Sequence, residues 1–312
     1  MKKLIVTGGS GMVGQNLIPL LIKNNYKVVS LDKNKNNLEL LKRLNPKIRA
    51  VNVNLVKKDK WFGEFRNAYA VIDLKAQIAS KNKQEFQRNN VKTEKNIIEA
   101  CEKYAVQHLI HASSSVVISV AKDDYTKTKR KCENIVHNSK VPHTILRPTL
   151  MYGCFDVKHL DFIGSLMDKL PIIPIPGSGK YIRQPVSALD FCKIILSCLK
   201  RPAENSIHNI IGFEKIYFID LLKIIAKTKK LKRLVVGIPL PLFRFLLKIH
   251  TFILRKPTVT PDQLKALMGG DIFPEEDWPT EFDVKYTPFK KGIKQVYSSK
   301  QYKYKKDMNS PH

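Results

Sequence analysis

The stretch Thr7-Gly8-Gly9-Ser10-Gly11-Met12-Val13-Gly14 constrains this chain more than any other. It follows the apolar run Leu4-Ile5-Val6 and precedes the helical pattern of Gln15–Lys23, so a strand, a glycine turn and a helix start meet here. Glycines at 8, 11 and 14 let the backbone turn tightly, approach a pyrophosphate and pack the helix on the strand. The helix start turns backbone N–H groups and a partial positive charge toward phosphate. The competing reading is a βα turn whose glycines serve packing alone. Tyr26–Leu31 reads as a second strand, and Asp32 ends it. A carboxylate about 20 residues past the glycines accepts the adenosine-ribose hydroxyls and repels a 2′-phosphate, which favours NAD over NADP. Lys33 and Lys35 stand beside it and would accommodate that phosphate, so NADP is the alternative.

A chain of 312 residues with 43% hydrophobic content buries a substantial core, in one large domain or two lobes. Met1-Lys2-Lys3 before an apolar stretch imitates a signal peptide, but the glycines interrupt it and no small-residue cleavage site follows. Cys101, Cys132, Cys154, Cys192 and Cys198 are odd in number and widely spaced. That argues against a disulfide framework or a zinc site, and for a reducing cytosol. No metal is expected, and no run reaches the length of a membrane span. The net charge of +28 invites a nucleic-acid reading. The lysines are scattered, however, and no nucleic-acid-binding signature accompanies them, so no nucleic-acid partner is expected. Attraction to anionic substrates or lipid surfaces remains. The expected location is cytoplasmic, with peripheral contact on the inner membrane face.

Strand and helix patterns alternate through the first half. Ile48–Val53, Ala70–Leu74 and His108–Ala112 read as strands, Gln84–Tyr104 as one long helix, and Thr144–Arg147 as a sixth strand closed by Pro148. This alternation predicts an α/β fold with a doubly wound parallel sheet. Prolines and glycines then loosen the pattern. Gln184–Val186 and Ile207–Ile211 read as short strands around a helix over Leu189–Lys200, and Ile219–Lys227 as another helix. The expected organisation is a nucleotide-binding domain over 1–150, its sheet completed by about 184–212. A smaller substrate lobe follows over 151–183 and 213–297, then a frayed basic tail over 298–312.

The catalytic candidates follow the fifth strand. It runs into Ser113-Ser114-Ser115, and Asp124-Tyr125-Thr126-Lys127-Thr128-Lys129 leads a helix. Tyr125 and Lys129, four apart, share one helix face. A neighbouring cation lowers a phenol's pKa, so Tyr125 would move a proton on a substrate oxygen while hydride passes to or from a nicotinamide. A serine at the strand end, Ser115 before Ser114, would clamp that oxygen. Tyr286/Lys290 and Tyr302/Lys306 share the spacing but lack the serine-ended strand.

These segments together resemble the extended and atypical short-chain dehydrogenase/reductases, the NAD-dependent epimerase/dehydratase family. Thr7–Gly14 is similar to its cofactor turn, Asn90-Val91…Asn96 to its fourth-helix motif, and Ser113–Ser115 with Tyr125…Lys129 to its catalytic group. Arg147-Pro148-Thr149…Tyr152-Gly153 and Gln184-Pro185-Val186…Asp190 resemble its later motifs. The Gln-Pro-Val form and Thr260–Leu264 are similar to an atypical branch that includes a non-catalytic accessory subunit of respiratory complex I. The resemblance implies a Rossmann-type sheet and cofactor contacts from Gly8, Gly11, Met12, Val13, Gly14, Asp32, Asn54, Leu74, Ala76 and Lys129. It implies substrate contacts from Ser114 and Asn96. It also makes Arg183, closing Gly177–Arg183, the ligand of a nucleotide-sugar diphosphate, against the reading of a basic surface loop. Lys75 stands where the family has a small residue near the cofactor, placed to contact phosphate or crowd the site, and Thr93 replaces a glycine.

Pro239–Lys256 is apolar over most of a helix, with Arg244, Lys248 and Arg255 as a basic stripe. A core helix with snorkelling charged tips is the favoured reading. A membrane-interface helix, a partner helix or a lid over a lipid-like substrate is the alternative. The reading as a whole is an NAD-dependent epimerase/dehydratase-type oxidoreductase acting on a nucleotide sugar through Ser115, Tyr125 and Lys129, with a homodimer as its expected assembly. A dehydrogenase for a hydrophobic alcohol and a non-catalytic NAD(P)-binding subunit of a membrane complex are the alternatives.

Overall fold

The computed structural model describes residues 1–80, 82–158, 160–254, 264 and 268–308. In the first half β1 (Lys3–Thr7), α1 (Met12–Lys23), β2 (Lys27–Asp32), α2 (Lys35–Leu44), β3 (Arg49–Asn52), β4 (Ala70–Asp73), α3 (Lys83–Phe86), α4 (Thr93–Lys103), β5 (His108–Ala112), α5 (Asp124–His137) and β6 (His143–Pro148) follow in turn. Then come β7 (Met151–Tyr152), α6 (Leu160–Lys169), β8 (Ile172–Pro176), β9 (Ile182–Arg183), β10 (Val186–Ser187), α7 (Ala188–Cys198), β11 (Ser206–Ile210), β12 (Ile216–Tyr217), α8 (Phe218–Thr228), β13 (Leu234–Ile238), α9 (Leu240–Leu254), α10 (Trp278–Phe282) and α11 (Phe289–Ser298).

Seven strands form one sheet in the order β11-β6-β5-β4-β1-β2-β3, and every pair in it is parallel. Its central strands are largely apolar because both faces are covered, with Asp73 on β4 and His108 and His111 on β5 among the polar exceptions. Leu4 and Val6 face α1 and α7 in one cluster with Leu17, Ile18, Phe191 and Ile194. Ile5, one residue out of phase, faces the other cluster with Ile97, Cys101, Trp61 and Phe65. The chain builds outward from β1 to β3, then returns to lay β4 on the other side of β1. That reversal opens a crevice at the carboxyl ends of β1 and β4, where open α/β sheets bind ligands.

A third cluster, with Tyr152, Phe155, Met167, Ile175, Leu221, Ile225, Phe289 and Ile293, is the core of the later segments. β11 returns to pair with β6, while Trp278, Phe282 and Val284 pack into the α1/α7 cluster, so part of 213–297 lies on the main sheet.

Three expectations are corrected. The long helix over Gln84–Tyr104 is broken by a π-helical segment, Gln87–Lys92, between α3 and α4. The extra residue per turn carries Asn90 inward, where its amide bonds both the N–H and C=O of Gln77 and reaches the Thr128 hydroxyl at 3.1 Å. The tail expected to fray is folded through Met308: Lys300–Asp307 forms a 3₁₀ helix. Its anchor is the buried Asp161 carboxylate, which accepts from Tyr297 and Tyr302 at 3.1 Å each and pairs with Lys305. The core reading of 239–256 fails for the described side chains, because Leu242, Phe245, Leu246 and Ile249 stand between 40% and 58% exposed on α9. Arg255 and Thr260–Gln263 lie outside the described residues. No helix among the described residues is long and apolar enough to cross a membrane. All five cysteines are buried and unpaired.

Candidate functional site

The glycine turn closes the carboxyl end of β1. Gly8 has φ +66°, and a Cβ there would stand 2.8 Å from the Lys75 backbone, so turn and β4 end approach too closely for a side chain. At Gly14 a Cβ would fall 2.1 Å from the Gly9 carbonyl, so this glycine fixes the helix on the turn. Gly11 differs: its Cβ would meet only the Gly8 carbonyl, at 3.3 Å, and the residue lines an open cavity. Gly11 caps α1 without any side-chain bond, and the first helical bond runs from the Gln15 N–H to the Gly11 carbonyl. The N–H groups of Met12, Val13 and Gly14 therefore have no intrahelical acceptor, which is the arrangement that binds anions.

The cavity holds about 260 Å³. Gly8, Gly11, Met12, Val13, Gly14, Asp32, Asn54, Leu74 and Ala76, all expected at a cofactor, line it together. The Asp32 carboxylate accepts from the Ser10 N–H at 3.1 Å and the Asn34 N–H at 3.0 Å, which fixes it at the cavity wall. One wall was not legible from the motif. Phe155–Lys158 and Met308 complete it, and Asn16 ties that loop to α1 through the Cys154 carbonyl at 2.9 Å. Burial, then the charge of Lys33, pushes the Lys158 ammonium down to about 8, so this wall gains positive charge as pH falls toward neutrality. A buried phenylalanine at left-handed φ (+66° at Phe155) marks the loop in the structure, but nothing in its composition does.

The catalytic candidates stand at the neighbouring carboxyl end of β5. Of the two serine candidates, Ser114 is the one whose side chain bears on the Tyr125 hydroxyl, favouring its ionised form. Ser115 is buried in the first turn of a 3₁₀ helix, Ser115–Ile118. The expected low phenol pKa is corrected: burial pushes Tyr125 up to about 12, outweighing the opposing effect of Ser114. Lys129 does not offset this, because its ammonium turns inward, 2.9 Å from the Ala112 carbonyl and 3.4 Å from His111 Nε2. Burial lowers the Lys129 pKa.

Behind the lysine lies a charged cluster that reading along the chain missed. His111 Nδ1 is 3.0 Å from Asp73 and 3.4 Å from Glu94, all three fully buried. The Lys75 ammonium sits 3.3 Å from Asp73 and is ion-paired with Glu94, and Thr7 donates to Asp73. Lys75 therefore neither contacts phosphate with its ammonium nor crowds the cavity with it: the charge points away, into the protein. The donor atoms of Asp73, Glu94 and His111 lie within 4.8 Å of one another, and Lys75 supplies their cation. The available signal was a charge inside an otherwise apolar central strand, which must be paired.

Two substrate candidates lie elsewhere. Asn96 is buried and donates to the Leu55 and Val56 carbonyls at 2.9 and 3.0 Å, so it holds the loop carrying Asn54 and does not face the cavity. Arg183 lies on β9, its guanidinium 5.2 Å from the centre of the Tyr181 ring and one N–H on the Ile182 carbonyl. It does not line the cavity.

The model of the NAD-dependent epimerase/dehydratase family matches residues 4–212. A putative UDP-glucose 4-epimerase of Methanocaldococcus jannaschii is 36% identical over 122 residues, covering 36% of this chain and 37% of that protein. A dTDP-D-glucose 4,6-dehydratase of Dictyostelium discoideum is 26% identical over 206 residues, covering 58% of this chain and 44% of that one. The chain thus spans less than half the length of either relative. Among solved structures, the UDP-glucose 4-epimerase of Thermotoga maritima with UDP-glucose superposes with a TM-score of 0.76 at 17% identity, covering 97% of this chain and 99% of that one. The UDP-glucuronic acid 4-epimerase of Bacillus cereus in complex with NAD gives 0.71 at 20% identity, covering 97% and 98%. At these identities the likeness is one of fold.

Proposed function

The chain belongs to the NAD-dependent epimerase/dehydratase family, and from that premise we propose that it is an NAD-dependent oxidoreductase of epimerase or dehydratase type acting on a nucleotide sugar. One observation carries the reading. An uncapped helix start and a fixed carboxylate share a cavity at the β1/β4 switch, beside a tyrosine–serine pair at the end of β5. The cavity lining fits the cofactor: Met12–Gly14 would hold its pyrophosphate and Asp32 the adenosine ribose, while Lys129, outside that lining and bonded to Ala112 and His111, would give its remaining N–H to the second ribose. Bound NAD⁺ supplies a hydride acceptor and a positive charge that draws the Tyr125 pKa down. Tyr125 then exchanges a proton with a sugar hydroxyl whose oxygen Ser114 holds. Arg183, beside Tyr181 and outside the cofactor cavity, would be the ligand of the substrate's diphosphate, by its bidentate fork.

Mass spectrometry of ligands recovered from native protein tests the whole reading. NAD with a nucleotide sugar supports it; a lipid alcohol, or dinucleotide with no substrate, overturns the substrate class. Fluorescence titration tests the cofactor site separately. Wild type binds NADH more tightly than NADPH, and Asp32→Ala erases the preference. Gly11→Val weakens NADH by about two orders of magnitude with the fold retained, since its Cβ approaches only the Gly8 carbonyl, at 3.3 Å, and the residue lines the cavity. Equal NADPH binding by wild type would refute the selectivity.

The exposed face of α9 supports a second proposal, peripheral attachment to an anionic membrane surface. Leu242, Phe245, Leu246 and Ile249 offer the apolar contact, and Arg244 is exposed among them. Each basic residue near such a surface adds about 1 kcal/mol. In liposome flotation the wild type binds at low salt and releases at high salt, and Phe245→Ser with Arg244→Glu abolishes binding. Flotation unchanged by these substitutions would end the proposal.

A further inference from the structure

We propose that His111 is a positioning residue of this site: its Nδ1–H is held between the carboxylates of Asp73 and Glu94, its Nε2 accepts from Lys129, and the His111–Lys129 pair carries one positive charge as a unit. The proposal rests on the reading of Lys129 as a cofactor ligand and extends it to a residue that touches neither cofactor nor substrate.

The geometry fixes the tautomer. Two carboxylate oxygens face Nδ1, at 3.0 Å from Asp73 and 3.4 Å from Glu94, so a hydrogen must stand on that nitrogen. The Glu94 oxygen has no other partner among the described residues, and orphaned buried oxygens are rare. At the opposite edge of the ring the one partner of Nε2 among the described residues is the Lys129 nitrogen, at 3.4 Å. An ammonium cannot accept, so in a neutral ring Nε2 presents its lone pair to Lys129. The second Lys129 acceptor is the Ala112 carbonyl at 2.9 Å. Together these two acceptors hold the ammonium under the end of β5.

Charge balance sets how many protons the pair holds. The groups facing it from β4 and the loop just after it are Asp73 and Lys75, and from α4 Glu94 and Cys101. From α5 they are Lys129 and Cys132, and from β6 His143. Burial pushes both thiols up and His143 down, so all three are neutral. Two carboxylates and the Lys75 ammonium then leave one positive charge for the pair to supply. A second proton would place imidazolium against ammonium in a dry interior, where like charges repel strongly. Amines are the stronger bases, and the resting proton belongs to Lys129. Burial lowers Lys129 while the two carboxylates raise His111, which brings the two sites closer and couples them.

The first test uses the wild-type protein labelled with ¹⁵N-histidine, with His111 assigned by its loss in His111→Gln. An Nδ1–H, Nε2-bare imidazole at neutral pH supports the proposal. An imidazolium or an Nε2–H ring overturns it. This readout needs no cofactor. The second test follows NADH affinity against pH. His111→Phe removes the Nε2 acceptor and moves the alkaline fall in affinity down by about one pH unit or more. His111→Gln, which can present an amide oxygen to Lys129, keeps the fall within about 0.3 unit of wild type. A merely structural role for His111 would lower the melting temperature without moving this limb, and an unmoved limb in folded His111→Phe overturns the proposal. If wild type binds no NADH at any pH, the cofactor reading has failed on its own account, and the ¹⁵N spectrum still decides the pairing.

Discussion

Tyr125→Phe lowers single-turnover reduction of enzyme-bound NAD by about 10²–10⁴-fold while NADH affinity stays within about twofold of wild type. The substitution removes one hydroxyl and keeps the ring. Burial holds that hydroxyl up to about 12, against the opposing pull of the Ser114 side chain, so without a neighbouring positive charge it is a proton donor. Lys129→Met behaves differently and loses both rate and affinity, because it deletes the ammonium bonded to Ala112 and His111 at the base of the site. Among the serines, Ser114→Ala costs more rate than Ser115→Ala, since of the two only Ser114 bears on the ionisation of the tyrosine. The assay uses the nucleotide sugar recovered from native protein. Wild-type rates in Tyr125→Phe would place the acid/base elsewhere, and a wild type without hydride transfer to any recovered ligand would favour a non-catalytic NAD(P)-binding subunit.

What could be read from the chain was what local pattern dictates. Leu4-Ile5-Val6 is a short apolar run and His108–Ala112 a strand pattern broken by two histidines, and both became central strands. The glycine turn and Asp32 were legible because a backbone that must approach a phosphate tolerates few residue types. Tyr125 and Lys129 were legible as a spacing but not as an environment. The lysine was expected to lower the tyrosine's pKa; it serves a carbonyl and an imidazole instead, and burial of the phenol wins. The π-helical break at Asn90 defeats a reading by regular helical period, since one inserted residue shifts every later position. Met308 reaches the cavity from the far end of the chain, a closure that no local signal encodes. Lys75 departed from an expected pattern singly, and Glu94 gave no signal of its own. Only the adjacency of β1, β4 and β5 with α4 turns them into a pair.

Lys75→Met destabilises the protein by about 3–5 kcal/mol near neutral pH, the typical cost of leaving buried charge without its partner. Asp73 and Glu94 are fully buried, and the ammonium between them is their only full cation in direct contact among the described residues. Burial disfavours the Asp73 carboxylate, yet the Lys75 charge and the bonds from His111 and Thr7 outweigh it and hold its pKa well below the ordinary value. A depressed carboxyl stabilises the fold above its unfolded pKa and loses that contribution as pH falls through the folded value. Wild type therefore keeps this stabilisation down to strongly acid pH. In Lys75→Met the sign inverts: burial now dominates, the carboxyl pKa rises, and stability falls as pH climbs through it. The deficit against wild type should be largest at pH 7–8 and shrink toward pH 5, measured by denaturant unfolding at each pH. Glu94→Gln added to Lys75→Met restores part of the loss, because it removes one of the two stranded charges while keeping the side chain's shape; alone it costs stability, since it weakens a working pair. A deficit equal at pH 5 and pH 8, with no rescue in the double variant, would mean that Lys75 stabilises by packing its stem and not by its charge.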